Sequence, residues 1–175
     1  YLASESLFSA KGLLRQVIGI TLTIEAIASV FIFFSWGAHM HFDSLTQRIF
    51  YSAFHGVSAF CNAGFSLFSN GLYEEGIRNS YLLHLVIGVT IVIGGLGFSA
   101  VQDLFSPKAL QERLHRPWKD WKINTKVAVH TSLMLILIGM GLFFLTEHNG
   151  VMNDMGVFES IVSAFFQSIT TIFGH

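Results

Sequence analysis

Charged residues are scarce in this chain. They make up 12% of its 175 residues, whereas hydrophobic residues make up 52% and the mean hydropathy is +0.57. A soluble domain carries about 25% charged residues, so this composition argues against a domain that folds in water. The ten Lys and Arg residues nearly balance the eleven Asp and Glu residues, for a formal net charge of −1. We therefore expect no nucleic acid or acidic polymer as a partner.

Cysteine is almost absent as well, and with it several kinds of site. The single cysteine, Cys61, excludes a disulfide within the chain and a zinc site made of several cysteines. No nucleophile–base pattern, phosphate-binding glycine motif or nucleotide-binding pattern is present, so we predict neither an enzyme nor an organic cofactor. The chain begins at Tyr1 in the middle of a pattern and ends at His175 after an apolar run. We expect it to be a fragment of a longer polypeptide.

Apolar sequence is what the chain has in abundance, in three long runs and two short ones. The long runs cover about residues 12–36, 80–104 and 125–146, and each suffices for a transmembrane helix of roughly 20 residues. The short runs cover about residues 48–61 and 157–171, a length typical of re-entrant or interfacial segments. We therefore predict three membrane spans and two short helices that do not cross.

The order of these runs is long, short, long, linker, long, short, which indicates an internal repeat. Ser52-Ala53-Phe54 and Ser163-Ala164-Phe165 occupy corresponding places in the two copies. The predicted fold class is an all-α integral membrane protein with repeated helix–re-entrant pore loop–helix units, like those of potassium channels. One unit covers residues 1–104, a basic linker covers 105–124, and 125–175 holds part of a second unit.

The positions of the basic residues indicate whether the first short run crosses the membrane. Two lie just before or at the start of the first long run, two lie between the first and second, and six lie between the second run and the start of the third: Lys11 and Arg15; Arg48 and Arg78; and Lys108, Arg113, Arg116, Lys119, Lys122 and Lys126. If the short run does not cross, eight of the ten share one face, which the positive-inside rule makes cytoplasmic. We therefore predict a re-entrant loop, with the N-terminal end and the linker in the cytoplasm.

The linker has helix signals of its own. Ser106 is a suitable N-cap and Pro107 suits the first helical position. Leu110 and Leu114 then share a face, and two tryptophans follow. The pattern fits a short amphipathic helix at the cytoplasmic membrane interface, and it fits a solvated basic loop equally well.

The first short run predicts a pore loop over about residues 48–66. Ser44, with Gln47 three residues later, predicts a capping box that opens a short helix. The negative end of that helix dipole falls near the segment Cys61–Phe65, where it favours a cation. Small residues there let backbone carbonyls approach an ion, and Gly64 can adopt dihedral angles closed to other residues. Carbonyls that replace an ion's hydration shell are the basis of potassium selectivity.

Two stretches of the sequence carry a family resemblance. Ser58-Ala59-Phe60-Cys61-Asn62-Ala63-Gly64-Phe65-Ser66 resembles the second pore loop of the TrkH/KtrB superfamily of potassium uptake proteins. Ile93-Gly94-Gly95-Leu96-Gly97-Phe98 resembles that family's signature late in the following span, and Glu25 and Glu147 fall where such proteins tend to carry a glutamate. The resemblance covers nearly the whole chain, and it implies a complete second unit and a third unit up to its pore helix.

The resemblance also implies a function and partners. In that family four such units of one polypeptide form a single pore for potassium, and each unit offers a filter loop with a key glycine. Gly64 would then be the filter glycine, and backbone carbonyls near Asn62 and Ala63, between Cys61 and Phe65, would bind potassium. The resemblance further implies a homodimer in the bacterial inner membrane, gated by a cytosolic ring of nucleotide-binding subunits of the TrkA/KtrA type.

The second short run departs from the family pattern at its end. Thr170 and Thr171 fit the third loop, which typically continues Arg-Thr-Ala-Gly-Phe. This chain instead reads Ile172-Phe173-Gly174-His175, so Gly174 comes one place early. Thr170, Thr171 and Gly174 are candidates for a second filter loop that is altered, truncated or not a working filter.

Several other residues have a structural and a functional interpretation. Glu25 lies near the middle of the first span, where an acid either serves an ion pathway or tethers the pore-helix backbone, and we favour the tether. Gly94, Gly95 and Gly97 indicate either a hinge or close helix packing, and we favour packing.

The histidines offer an alternative function. His39 and His41 form an H-x-H pair that could bind a metal, although a solvated external loop is the simpler interpretation. The alternative function is an intramembrane metal-handling protein or enzyme that uses Glu25 and the histidines. We expect His55, within the short helix, to be hydrogen-bonded rather than catalytic. A third hypothesis, a membrane scaffold that does not conduct, predicts no cation flux.

Overall fold

The structure, a computed structural model, describes residues 2–37, 40–74, 76–115, 121–147 and 156–173, with the side chains of all but residues 2–10, 73 and 108. Every regular element in these ranges is a helix, which confirms the predicted all-α class. The helices are α1 (Leu2–Ser35), α2 (Leu45–Phe60), α3 (Tyr81–Gly95), α4 (Phe98–Phe105), α5 (Pro107–His115), α6 (Ile123–Glu147) and α7 (Val157–Phe173), with one 3₁₀ turn at Gly71–Tyr73.

Two of the described helices are long and apolar enough to cross a membrane alone. They are the Lys11–Ser35 part of α1 and the whole of α6, and α3 with α4 gives a third candidate if that pair counts as one span. The run at 80–104 is not one straight helix, because α3 and α4 meet at 109°. Gly97 lies at the break with φ +83°, a conformation that ends a right-handed helix and that L-residues rarely adopt.

The short helix α2 begins as its sequence predicts. Ser44 is the N-cap, and its Oγ accepts a hydrogen bond from the N–H of Gln47 at 3.1 Å. The return bond of the predicted capping box is different, because the Gln47 Oε1 accepts from the N–H of Asp43 at 2.6 Å rather than from the cap residue. With 16 residues, α2 is about 24 Å long, shorter than a hydrocarbon core of about 30 Å.

The helices pack as two pairs with α3 between them. Helix α1 packs on α2, α6 packs on α7, and α3 contacts both α2 and α7. The shared core is aliphatic and fully buried at its centre, where Ile32 of α1, Ile87 and Ile91 of α3, and Ile169 of α7 come together. Helix α3 therefore joins the two short helices through one core.

A glycine meets a serine at the crossing of each helix pair. A Cβ at Gly56 of α2 would lie 2.6 Å from the Oγ of Ser29 on α1. In the second pair the roles are exchanged: Gly139 is on the long helix α6, and a Cβ there would overlap the Oγ of Ser168 on α7. The Ser168 hydroxyl is buried and donates to the Ile136 carbonyl at 2.9 Å. Small residues at these positions allow each short helix to approach its long neighbour closely.

This contact predicts a rescue between two substitutions. Gly139→Ala alone should lower the melting temperature of the full-length protein in detergent, because overpacking costs roughly 1–3 kcal/mol. Adding Ser168→Gly, which removes the overlapping atoms, should restore most of the loss. Gly141→Ala is the matched control, since a Cβ at Gly141 meets nothing within 4 Å. Equal effects of the two single glycine substitutions would contradict the contact.

The predicted helix in the linker is present as α5, so this segment is not simply a solvated loop. It begins at Pro107, and the Oγ of Ser106 accepts from the N–H of Ala109 at 3.3 Å. The Arg113 guanidinium then donates to the carbonyls of Asp103 and Leu104, at 2.6 and 3.0 Å, and so caps the end of α4.

The carboxylate of Asp103 holds the same corner together from the other side. Its Oδ1 lies 3.5 Å from the Arg113 guanidinium, and its Oδ2 accepts from the N–H of Lys122, just before α6, at 3.0 Å. One side chain thus fixes the positions of α4, α5 and α6 relative to each other. Trp118 and the rest of residues 116–120 lie outside the described residues.

Candidate functional site

The candidate site is the loop of residues 61–66, which follows α2 directly. The Cys61 N–H donates to the Val57 carbonyl at 2.9 Å and the Ala63 N–H donates to the Ser58 carbonyl at 2.9 Å, so the last turn of α2 sets the course of the loop. Asn62 and Gly64 both have positive φ, at 51° and 68°. Two residues with positive φ turn the chain sharply. Only glycine adopts a positive φ without strain, although Asn tolerates it better than most residues.

Ser58 fastens the far side of this loop to α2. Its Oγ donates to the Phe65 carbonyl at 2.8 Å and accepts from the Phe65 N–H at 3.1 Å. The carbonyl of Phe65, which the sequence placed among the ion-binding groups, therefore points to α2. Within the part of the chain that the structure describes, no donor reaches the carbonyl oxygens of Asn62 and Ala63. We call this pair of hydrogen bonds the Ser58 clamp. It could not be predicted from the sequence, because a separation of seven residues is not typical of any known hydrogen-bonding motif.

His55 holds the next residue of the loop, one helical turn before Ser58. Its Nδ1 lies 2.8 Å from the Tyr51 carbonyl and its Nε2 lies 3.2 Å from the Oγ of Ser66. The same hydroxyl accepts from the N–H of Phe68 at 3.2 Å. The imidazole is 4% exposed, and the ring of Phe68 stacks on it with centroids 5.3 Å apart. The expectation that His55 is hydrogen-bonded is confirmed, but its link to the loop was not predicted.

The side chain of Asn62 joins the loop to the end of α3. In the amide orientation that satisfies both ends, its nitrogen donates to the carbonyls of Ala59, at 3.3 Å, and Ile91, at 3.2 Å. Its oxygen accepts from the N–H of Gly95 at 3.2 Å. The sequence placed Asn62 in the filter for its backbone, whereas its side chain bridges two elements.

The glycines at the end of α3 and just after it have different roles: two pack closely against other helices and one lies at the break between α3 and α4. A Cβ at Gly94 would overlap the Phe60 carbonyl oxygen at the end of α2. A Cβ at Gly95 would overlap the ring of Phe173 at the end of α7. The end of α3 thus lies between the ends of both short helices, and Gly97 starts the turn into α4.

Glu25 of α1 lies beneath the beginning of the loop. It is 8% exposed, and its Oε1 accepts a weak hydrogen bond from the Cys61 thiol at 3.7 Å. We expected a tether to the backbone of the short helix, and the carboxylate instead contacts the Cys61 side chain. A carboxylate within an apolar span needs such a partner, because an unpaired charge there is costly.

The structure places Thr170 and Thr171 in the last turns of α7, which continues to Phe173. Both hydroxyls donate to the Gln167 carbonyl, at 3.0 and 2.8 Å. They therefore belong to a helix rather than to a loop, and Gly174 lies outside the described residues.

A cavity of about 180 Å³ brings the two halves of the chain together at the loop. Gly64 and Phe65 line it from the first half, and Phe166 and Thr170 of α7 line it from the second. His55, Ser58 and Ser66 contribute polar atoms to the same cavity. The end of α7 is therefore a neighbour of the loop, although it lies about a hundred residues later in the sequence.

The metal site proposed from the histidines has no support in the structure. In the described ranges no three His, Cys, Asp or Glu side chains lie close enough to hold a metal ion. His41 is exposed, and His39 lies outside these ranges.

Comparison with known proteins points to one family. The family profile described as TrkH, cation transport protein, matches residues 3–173. Ktr system potassium uptake protein B of Vibrio alginolyticus is 30% identical over 176 aligned residues, which cover 95% of this chain and 35% of that protein. Potassium/sodium uptake protein NtpJ of Enterococcus hirae is 38% identical over 125 residues, 71% of this chain and 26% of that protein.

The Ktr system potassium uptake protein B of Bacillus subtilis is 28% identical over 161 residues, covering 91% of this chain and 33% of that protein. The chain thus spans about a third of the length of the curated relatives it matches. The profile covers nearly every helix described above, including the 61–66 loop and the bent pair. The chain therefore belongs to the TrkH family of cation transport proteins.

Proposed function

We propose that the full-length protein takes up potassium through a pore whose wall includes the 61–66 loop. The observation that supports this most directly is the pair of carbonyl oxygens at Asn62 and Ala63, which accept no hydrogen bond from the described residues. Asn62 is half-buried and Ala63 is exposed, so these carbonyl oxygens are accessible, and carbonyls that replace an ion's hydration shell form the selectivity filters of potassium channels. The names of two relatives, which are potassium uptake proteins, agree with this proposal.

The surroundings of these carbonyls favour a cation. They follow the C-terminal end of α2, where the helix dipole is negative. In our proposal the carbonyls of Asn62 and Ala63, with that of Gly64, line the ion path between Cys61 and Phe65. Phe65 contributes no carbonyl to it, since Ser58 occupies that oxygen.

The second wall of the pore is the end of α7. Thr170 and Gly64 both line the shared cavity. In this arrangement α2 and α7 are two pore helices of a four-unit pore, and the other units belong to the remainder of the protein. Each short helix belongs to a re-entrant segment that enters and leaves the membrane on the outer side.

The cytoplasmic face would then carry the N-terminal end of α1 and the linker with α5. The eight basic residues near these segments support this orientation. We further propose a homodimer gated by a cytosolic nucleotide-binding ring of the TrkA/KtrA type. Two relatives are named as components of a Ktr system, which supports an assembly with other subunits.

The test is transport by the purified full-length protein in liposomes. Potassium flux should exceed sodium flux, and the purified protein should hold no stoichiometric zinc. One relative is named for both potassium and sodium, so the two ions need to be compared side by side. Absence of any cation flux would favour the scaffold hypothesis and overturn the proposal.

A further inference from the structure

The contact between His55 and Ser66 has a direction that the chemistry of its atoms determines. The carbonyl oxygen of Tyr51 can only accept, so the His55 Nδ1 carries the hydrogen that joins them at 2.8 Å. A neutral imidazole then has an acceptor at Nε2, which receives the Ser66 hydroxyl hydrogen. The ring is buried among Trp36, Tyr51, Phe54 and Phe68, and such surroundings favour the neutral form.

Ser66 has both of its hydrogen-bonding roles in use at this point. Its hydroxyl donates to His55 and accepts from the N–H of Phe68. Together with the Ser58 clamp on Phe65, this bond fixes two successive residues of the loop to α2. The backbone immediately after Gly64 is thus held by the side chains of His55 and Ser58, which line the same cavity as Gly64.

We propose that His55 is a positioning residue that determines ion selectivity, by holding Ser66 and through it the carbonyls of Asn62, Ala63 and Gly64. The inference rests on the proposed function. A filter that selects by cavity size distinguishes potassium from sodium through the spacing of its carbonyl oxygens, and in this loop the bonds from Ser58 and His55 help to hold that spacing. Without the bond to Ser66, the loop should accommodate the smaller ion more readily.

Two substitutions at His55 separate its two hydrogen bonds. Asn places an amide nitrogen near the position of Nδ1, so His55→Asn keeps the donor to the Tyr51 carbonyl but no longer reaches Ser66. Gln places an amide oxygen near the position of Nε2, so His55→Gln keeps the acceptor for Ser66 and loses the bond to Tyr51. The pair differs in which contact remains, while both remove the ring.

The experiment measures the ratio of potassium to sodium flux in liposomes for the full-length protein and four variants. His55→Asn and Ser66→Ala should each lower the ratio about three- to tenfold, the factor that corresponds to one hydrogen bond. The double variant His55→Asn/Ser66→Ala should be no worse than either single variant. His55→Gln should stay within about twofold of the wild type, which a purely structural role for the ring would not allow.

Different outcomes refute different claims. If the wild type conducts and His55→Asn keeps the wild-type ratio, the inference about His55 is wrong and the proposed function stands. If the losses from the two single variants multiply in the double variant, the residues act separately and the inference also fails. If the wild type conducts no cation, both the proposed function and this inference fail. Should His55→Asn not accumulate in the membrane, Ser66→Ala carries the same prediction with the pore helix unchanged.

Discussion

Gly64→Ser and Gly64→Arg should each remove most of the preference of the full-length protein for potassium, and arginine should also stop uptake. Gly64 has φ +68°, where an L-residue costs roughly 1–2 kcal/mol, equivalent to roughly tenfold in an equilibrium. A loop that relaxes to a negative φ would move the neighbouring carbonyls. The arginine would add a positive charge at the cavity that Gly64 and Thr170 both line, and this charge would repel a cation.

The control for this prediction is another glycine with the same backbone strain. Gly71 has φ +60° and a Cβ there would meet nothing within 4 Å, so Gly71→Ser introduces the same conformational cost away from the loop. Potassium-dependent growth and ion flux should be nearly normal in that variant. Unchanged uptake and selectivity in both Gly64 variants would refute the assignment of the 61–66 loop to the pore. Equal losses in the Gly71 and Gly64 variants would show that the losses come from lower stability and not from a changed ion path.

Gly94→Ala should be the most destabilising small substitution in the described core. Its Cβ would overlap the carbonyl oxygen of Phe60 and lie 2.8 Å from the carbonyl carbon. Both partners are backbone atoms, so α3 must separate from the end of α2. The hydrogen bonds of Asn62 to Ile91 and Gly95 would then be lost as well. We expect a loss of about 3 kcal/mol in stability, with a matching fall in melting temperature and transport.

Two other glycines test whether backbone contact is the cause. The three atoms nearest to a Cβ at Gly95 all belong to the ring of Phe173, so Gly95→Ala/Phe173→Leu should recover much of the smaller loss that Gly95→Ala causes. Gly19→Ala in α1, where a Cβ meets nothing within 4 Å, should be neutral or slightly stabilising, since Ala favours a helix by about 1 kcal/mol over Gly. A Gly94→Ala protein as stable as the Gly19→Ala protein would show that α3 is not pressed against α2.

Local features of this fold could be predicted from the sequence. The caps at Ser44 and Ser106 and the shortness of α2 follow from residues within a few positions of each other. The break near Gly97 was visible only as a cluster of glycines, because nothing local distinguishes a glycine that packs from one with positive φ. Gly94 is pressed against the backbone of Phe60 and Gly97 has open space around it, a difference that the sequence does not reveal.

The support of the loop could not be predicted, because it depends on contacts between distant segments. Glu25 and Cys61 are 36 positions apart, and Asn62 bonds to backbone groups of α3. Ser58 and His55 lie close to the loop in sequence, yet both positions also fit the buried face of an ordinary helix. Their roles depend on the path of residues 63–66, which the two positive φ angles determine.

The exchange of glycine and serine between the two helix crossings has a consequence for how related sequences should vary. At each crossing, the combined size of the two side chains is limited, whereas either one alone could be larger if its partner were smaller. Substitutions at the two positions should therefore be correlated in homologous chains. A larger residue at position 29 should accompany glycine at 56, and a larger residue at 168 should accompany glycine at 139. Aligning the two halves position by position would score these sites as unrelated, although the same geometric limit acts on both.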